Sequence, residues 1–313
     1  MKLNNKRTML VGLAFLSICA FWQMYDTVIP KILTETFHLD ETISGAIMAA
    51  DNVLALFLLP FFGALSDRTN TRLGRRMPYI LAGTALAVVL MNLLPVFDNG
   101  YAAAPGATKL TMFVITLGLL LIAMGTYRSP AVALMPDVTP KPLRSKANAI
   151  INLMGAVGGI LYLIVAAVLY PNSRIEGLAH IDYQPLFIVV SAVMAVSVLA
   201  LFLTTNEPKL SAAEKEYEAA HPEQQLAEEE PDGSEELPKA VKKSLAFILL
   251  SIALWYIGYN AVTTWWSTYV ARVMGQGLGG ASKCLLIATG GAIVSYFPIG
   301  QLASRIGRKR TIQ

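Results

Sequence analysis

The sequence predicts an all-α integral membrane protein, in which eight helices cross the bilayer as a bundle. Three observations predict this class. First, 55% of the 313 residues are hydrophobic and only 15% are charged, unlike the composition of a soluble domain. Second, eight apolar segments are long enough to cross the hydrocarbon core, which takes about 20 helical residues. Third, a short basic turn follows the second segment and returns in a weaker form after the eighth.

The eight predicted spans follow one another with short connections, except for one long polar interval. They lie near residues 9–36, 43–65, 77–96, 109–136, 146–169, 184–205, 244–272 and 282–303. The first follows Lys2, Lys6 and Arg7, as a signal peptide would. Its apolar run is too long for a signal peptide and no small-residue cleavage site follows, so we expect it to stay in the membrane.

The basic residues predict the orientation of the spans. Nineteen of the 25 Lys and Arg residues fall in the N-terminus, the turns at 66–76 and 137–146, the interval 206–243 and the tail that begins at Arg305. Because cytoplasmic loops carry the excess of basic residues, these regions are predicted to face the cytoplasm. We therefore expect a multi-pass protein of the plasma (cell inner) membrane with a cytoplasmic N-terminus.

The polar interval at 206–243 divides the chain. It holds eleven of the 21 acidic residues, with Glu228, Glu229 and Glu230 in a row. With so few large apolar residues it is predicted to be an acidic cytoplasmic linker, within which 211–220 can form a polar surface helix. A regulatory tether and a plain solvated linker both remain open. The predicted units are a six-helix bundle at 1–205, the linker and a partial bundle at 244–313.

The sequence lacks the patterns of several other protein classes. Cys19 and Cys284 lie inside apolar segments, which favours packing over a disulfide. His38, His180 and His221 are scattered without ligand spacing, and no catalytic signature is present. We therefore expect no enzyme, no metal or cofactor and no nucleic-acid partner.

The basic turn after the second span is the most specific motif. It reads GALSDRTNTRLGRR over 63–76, and GQLASRIGRKR over 300–310 is a degraded copy. Gly63 has no side chain, so another helix can approach closely there, and Asp67 lies where the helix leaves the bilayer. Four basic side chains then hold the turn on the cytoplasmic side. These are Arg68, Arg72, Arg75 and Arg76.

A six-helix unit, a long linker and this turn after helices 2 and 8 resemble the major facilitator superfamily. The runs LPFFGALSDRTNTRLGRRMPYI (59–80) and RSPAVALMPDVTPKPLRSKANAIINLMG (128–155) resemble the sucrose/proton symporters and the glycoside-pentoside-hexuronide cation symporters. The resemblance implies a secondary active transporter for a sucrose- or maltose-like sugar or glycoside, which works by alternating access. It also implies twelve helices and a monomer.

The chain ends in the turn after helix 8, so we expect a truncated form, for which an oligomer or a complementing piece is an open alternative. Three alternatives stay open: a facilitator of another small solute, a membrane sensor and a fragment without transport activity.

The resemblance also bears on the coupling ion. Sodium-coupled carriers of this group place carboxylates at the positions of Leu59 and Ala55, whereas this chain has Asp51. We therefore expect H⁺ rather than Na⁺. The sucrose carriers' helix-4 arginine aligns with Val132, one turn from Arg128.

Three ionisable residues lie deep within predicted spans: Asp26, Asp51 and Arg128. A charge at mid-membrane costs about 2.5 to 3.5 kcal/mol, so each should face a cavity or a partner. One hypothesis is that Asp26 or Asp51 binds the coupling proton and responds to the approach of Arg128. The alternative is a buried ion pair that only fixes helix packing.

Polar and aromatic residues at helical spacing predict a lined path for a sugar, which needs both hydroxyl partners and aromatic faces. The candidate contacts are Trp22, Gln23, Asn152, Tyr256 and Asn260. The last two begin a polar stripe that continues through Thr263 and Ser267. The alternative is that these polar residues bridge helices. Gly155 and Gly159 form a predicted packing pair, and Trp265 and Trp266 can belong to the interfacial belt.

The resemblance also implies a cytoplasmic gate around the basic turn. Asp67 would accept hydrogen bonds from a helix N-terminus of the opposite bundle, with Arg68 or Arg72 orienting it. Asp137 lies beside Lys141, Arg144 and Lys146 and predicts a second cluster at this end. In the alternative interpretation the arginines only set the topology. The candidate gate residues are Gly63, Asp67, Arg68, Arg72, Gly74, Arg75, Arg76 and Asp137.

Overall fold

The chain is helical throughout the computed structural model, which describes residues 3–220 and 239–306. A π-helical turn, Ile32–Thr36, extends the first helix, and a 3-10 turn, Lys141–Leu143, precedes the fifth. The helices are α1 (Asn5–Lys31), α2 (Glu41–Arg68), α3 (Met77–Ala103), α4 (Ala107–Asp137), α5 (Arg144–Leu169), α6 (Asn172–Ile175), α7 (Gln184–Thr204), α8 (Glu207–Ala220), α9 (Lys239–Met274) and α10 (Leu278–Ile306).

Eight of the described helices are long and apolar enough to cross a membrane: α1 to α5, α7, α9 and α10. This confirms the predicted number and order of the spans. The largest difference in bounds is in α3, which continues to Ala103 rather than ending near residue 96. Its last turns are polar, so the helix extends beyond the apolar run that predicted it.

Successive spans run in opposite directions, which gives the bundle two distinct ends. We call the end with the connections at 69–76 and 138–143 the motif end. The opposite end, with the connections at 37–40, 104–106 and 170–183, is the loop end.

Helix α1 is the centre of the bundle and packs most closely against α5. A Cβ atom added at Gly158 would lie 2.0 Å from the backbone oxygen of Leu16, and one at Gly155 would lie 2.9 Å from Cys19 Sγ. At Gly159 the same atom would be in ordinary contact, 3.7 Å from Gln23. The close approach of the two helices therefore uses Gly155 and Gly158, rather than the predicted pair of Gly155 with Gly159.

The beginning of the acidic interval is folded against the bundle. The polar helix predicted at 211–220 is present and begins four residues earlier, at Glu207. Glu214 is buried and lies 3.2 Å from Arg144 at the motif end. The run Glu228 to Glu230 and the basic residues after 306 lie outside the described residues.

Candidate functional site

A polar cavity of about 500 Å³ lies between α1, α2, α4 and α9. The structure brings the three deep ionisable residues together here, because Asp26, Asp51 and Arg128 all line the cavity and come from three different helices. The remaining lining residues are Trp22, Tyr25, Gly45, Met48, Ala49, Asn52, Asn260, Ala261, Thr264 and Trp265.

The two carboxylates reach the same depth because of where they stand in antiparallel helices. Asp26 precedes the end of the π-helical turn by ten residues, and Asp51 follows the start of α2 by ten. At 1.5 Å per residue, each lies roughly 15 Å from the loop end. Among the residues that the structure describes, neither carboxylate comes within 4.0 Å of the Arg128 guanidinium. The cavity thus holds three separate polar groups rather than a closed ion pair.

Arg128 is positioned by an aromatic wall on α1. Its guanidinium carbon lies 5.5 Å from the centre of the Trp22 ring, within the range of a cation–π contact. Trp22 in turn meets Tyr25 edge to face, with the ring centres 5.3 Å apart. The indole Nε1 of Trp22 is buried without a hydrogen-bond partner. On α2, Asp51 accepts a hydrogen bond of 2.7 Å from the Asn52 side chain.

Of the five residues predicted to contact a sugar, Trp22 and Asn260 line the cavity. Gln23 instead faces α5, with its amide oxygen near Gly159. Asn152 is exposed, and Tyr256 is 60% exposed on α9, one turn from Asn260 toward the motif end. These three residues do not line the cavity. Helical spacing alone could not show on which side of its helix, or at which depth, each side chain lies.

Trp265 is a lining residue that the sequence did not single out, since it was placed with the interfacial aromatic residues. Its ring faces α2, where a Cβ atom on Gly45 would lie 3.7 Å from it. The predicted polar stripe of α9 passed through Thr263 and Ser267, whereas the cavity is lined by Thr264 and Trp265. The stripe is therefore rotated by one residue, or about 100°. The spacing of Asn260 and Thr264, four residues apart, was the signal available in the sequence.

Polar contacts close the cavity at the loop end. The Ser267 hydroxyl donates to the Thr27 backbone oxygen at 2.8 Å, and Arg272 forms an ion pair with Glu41. The α10 N-terminus adds a hydrogen bond of 3.1 Å, which the Gly279 backbone nitrogen donates to the backbone oxygen of Tyr170. Toward the motif end, α9 is exposed from residue 241 to residue 262. The described arrangement is thus closed at one end and open toward the other.

The basic turn forms a second polar site, centred on the buried side chain of Arg76. Its guanidinium binds Asp137 Oδ2 at 2.8 Å and also pairs with Asp67. Burial alone would lower the pKa of Arg76, but hydrogen bonds and charge from Asp137 and Asp67 outweigh it and raise that pKa. Arg68 and Arg72 are exposed and, within the described part of the chain, do not pair with Asp67. The arginine that orients Asp67 is therefore Arg76, and Asp137 belongs to this cluster rather than to a separate one.

Two glycines of the motif fit this site. Gly63 faces α4, where an added Cβ would lie 3.1 Å from the Ser129 hydroxyl, as expected for a close helix approach. Gly74 has φ +111°, and its Cβ would lie 2.4 Å from the carboxylate of Glu207. Arg75 contributes a longer contact of 3.4 Å to Asp137.

The carboxylate beside Gly74 caps α3, a role that the sequence did not reveal. Glu207, at the start of α8, is 2% exposed and accepts hydrogen bonds from the backbone nitrogens of Arg75, Arg76 and Met77 at 2.7, 2.9 and 2.9 Å. The nitrogens of Arg76, the N-cap, and Met77, the first helical residue, are among the donors that a helix start leaves unpaired. The negative charge of Glu207 also suits the helix dipole. Glu207 therefore fixes α8 to the turn.

We expect Glu207→Gln to lower the free energy of unfolding by about 1.5 to 3 kcal/mol. The amide has one acceptor oxygen, and its NH₂ group would face backbone donors. Thermal unfolding in detergent measures this loss. Glu216→Gln, on the exposed face of the same helix, is the matched control and should leave the midpoint unchanged. Equal midpoints for both variants would contradict the capping role.

A bundle of membrane-spanning helices with a polar cavity, here between α1, α2 and α4 on one side and α9 on the other, is the architecture of a membrane transporter. The sequence profile of the Major Facilitator Superfamily matches residues 11–313, and the chain belongs to this superfamily. It is a family of transporters rather than enzymes.

Known relatives agree with this assignment. Sucrose transport protein SUC3 of Arabidopsis thaliana is 29% identical over 141 residues, which are 41% of this chain and 23% of that protein. Solute carrier family 45 member 3 of Homo sapiens is 25% identical over 194 residues, 60% of this chain and 34% of that protein. The alignments thus span about a quarter to a third of these relatives.

A crystal structure of a D-xylose–proton symporter matches with a TM-score of 0.59 and covers 97% of this chain and 68% of that chain. At 15% identity this likeness shows the fold alone.

Proposed function

We propose that the protein is a proton-coupled symporter of a sugar or glycoside, of the sucrose or maltose type, that works by alternating access. The observation that carries the proposal is the central cavity, in which two carboxylates, one guanidinium and two tryptophans converge from four helices. Its volume of about 500 Å³ lies within the usual range for small-molecule sites, about 300 to 1,000 Å³. The distant relationship to sucrose transport proteins supports the sugar class.

Each cavity group has a role in this proposal. Asp26 or Asp51 binds the proton, because a carboxylate at this depth is costly unless it is neutralised or paired. Arg128, held against Trp22, offers hydrogen-bond donors to sugar hydroxyls and a positive charge to the carboxylates. Asn260 adds an amide, and the aromatic faces of Trp22 and Trp265 take the apolar surface of the sugar ring.

The two ends of the bundle fit alternating access. We propose that the motif end is cytoplasmic in the cell membrane, as its basic residues favour, so the described arrangement opens inward. The six-helix bundle at 1–205 then moves against the helices of 244–313, connected by the linker at 206–243. The cluster of Arg76, Asp67 and Asp137 braces the motif end of the first bundle.

Uptake of labelled sucrose and maltose into proteoliposomes tests the proposal. An inward proton gradient should drive accumulation above the outside concentration, and an uncoupler should abolish it. Uptake that only equilibrates, with no response to the gradient, would favour a facilitator. Substrate binding without flux would favour a sensor or a chain that needs a complementing piece. The absence of binding and of flux for both sugars would overturn the substrate class.

A further inference from the structure

A second pocket lies at the motif end, between the basic turn at 69–76 and the end of α7. Its volume is about 300 Å³, at the lower limit of the usual range for small-molecule sites, about 300 to 1,000 Å³. The polar residues that line it are Arg72, Thr204, Thr205 and Asn206, and the rest of the lining is apolar. Among the described residues that line this pocket, none is acidic.

Three of the polar side chains are available as hydrogen-bond donors. Arg72 is exposed, and within the described part of the chain its guanidinium forms no ion pair. The Asn206 amide oxygen accepts a hydrogen bond of 3.1 Å from the Lys209 backbone nitrogen, which leaves the NH₂ group to donate elsewhere. The hydroxyl of Thr205 is buried and has no hydrogen-bond partner among the described residues. A ligand with anionic oxygens would supply partners for all three donors.

The acidic residues around the pocket do not neutralise it. Glu207 is next to Asn206 in the chain, but its carboxylate is buried and accepts hydrogen bonds from the backbone at the start of α3. Asp67 and Asp137 both pair with Arg76. The charge of the pocket is therefore the positive charge of Arg72.

An exposed apolar stripe on α7 leads to the pocket. Val196, Leu199 and Leu203 are each more than half exposed, and their spacing of three and four residues puts them on one face of the helix. Leu203 lies in the last turn of α7 and also lines the pocket. In a bilayer the stripe lies at the depth of the acyl chains, and the pocket at its end lies at the level of the headgroups. The site thus joins an apolar surface to a cationic group and hydrogen-bond donors.

We propose that this pocket binds the phosphate headgroup of an anionic phospholipid in the leaflet at the motif end. Arg72 pairs with the phosphate oxygens, which match the fork of donors on a guanidinium, and Thr205 and Asn206 donate to the remaining oxygens. The acyl chains lie along the exposed stripe of α7. On the orientation proposed above, this is the cytoplasmic leaflet, which holds anionic lipids. A bound headgroup connects the basic turn to the start of α8, beside the Glu207 cap.

Lipid binding to the purified chain tests the proposal without any transport assay. Native mass spectrometry of the delipidated protein, titrated with phosphatidylglycerol, counts the bound lipids and gives the affinity of the first. Phosphatidylcholine with the same acyl chains carries the phosphate without a net charge, and we expect it to bind about tenfold more weakly. Glycerol 3-phosphate carries the headgroup chemistry without acyl chains. At the same concentration it should not displace the lipid.

Three variants locate the bound lipid. Arg72→Gln should weaken binding of the first phosphatidylglycerol by about tenfold, because it removes the charge of the pocket. Thr205→Val removes the buried hydroxyl at nearly constant shape and should weaken binding by about threefold. Arg68→Gln is the matched control, since Arg68 is an exposed arginine at the end of α2 that does not line the pocket. Its affinity should stay within about twofold of the parent's, because salt screens exposed charges outside the site.

Four results would overturn the proposal. Equal weakening by Arg72→Gln and Arg68→Gln would mean that lipid collects around the basic surface rather than in the pocket. An unchanged affinity in Thr205→Val would also place the headgroup outside the pocket. Displacement by glycerol 3-phosphate would make the ligand a soluble phosphate, and equal binding of phosphatidylcholine would remove the requirement for negative charge. The three side chains form no hydrogen bond or ion pair in the described part of the chain, so all three variants should fold as the parent does.

Discussion

Gly158→Ala is expected to lower the free energy of unfolding by about 3 kcal/mol or more, the upper end of the usual cost of overpacking. The added methyl would lie 2.0 Å from the Leu16 backbone oxygen, which no rotamer change can relieve. Helices α1 and α5 would have to separate, although α1 supplies the centre of the buried core. Thermal unfolding in detergent, followed by circular dichroism, measures the loss.

Gly118→Ala is the matched control for this variant. Gly118 also lies inside a membrane-spanning helix, but an added Cβ would meet nothing within 4 Å. Alanine has a helix propensity about 1 kcal/mol better than glycine, so the midpoint should stay the same or rise. Equal midpoints for the two variants would mean that the two helices can separate at little cost.

The spans were predictable because the bilayer imposes a local rule. A helix of about 20 apolar residues is recognisable without knowing what it packs against. The packing of those helices is not local in the same way. Gly155 and Gly159 share the spacing of a packing pair, yet Gly158 makes the closest approach, because the face of α5 turned toward α1 depends on the crossing of the two helices.

The cavity was predictable in part for the same physical reason. A charge within the bilayer must face a polar space, so Asp26, Asp51 and Arg128 could be grouped by depth alone. The uncharged lining carries no such constraint. Polar residues occur on more than one side of α9, and choosing the stripe through Thr263 rather than Thr264 misplaced Trp265.

The polar site around Arg76 at the motif end was only partly predictable from the sequence. The sequence identified the basic turn, but Arg76 and Glu207 are 131 residues apart, and no local pattern connects them. An acidic, proline-containing interval has the composition of a solvated linker. Glu207 and Glu214 are nevertheless buried, because a helix N-terminus and Arg144 supply their partners.

Asp26→Asn is expected to separate sugar movement from the proton gradient. An amide cannot bind the coupling proton, but it nearly matches the shape of the protonated acid and keeps the lining of the cavity. Coupling energies of about 1 to 3 kcal/mol correspond to about 5- to 150-fold effects, so gradient-driven accumulation should fall by about tenfold or more. Exchange of labelled for unlabelled sugar, which needs no net proton movement, should continue.

The comparison with Asp51→Asn and Asp40→Asn decides which carboxylate binds the proton. Asp40 caps α2 at the loop end, a role that asparagine also fills, so Asp40→Asn should accumulate sugar as the parent does. If Asp51→Asn alone loses accumulation while exchange persists, the coupling site is on α2. If both cavity variants keep the full response, neither carboxylate is the coupling site. The cavity charges would then serve substrate binding or packing, and the proton path would lie elsewhere in the bundle.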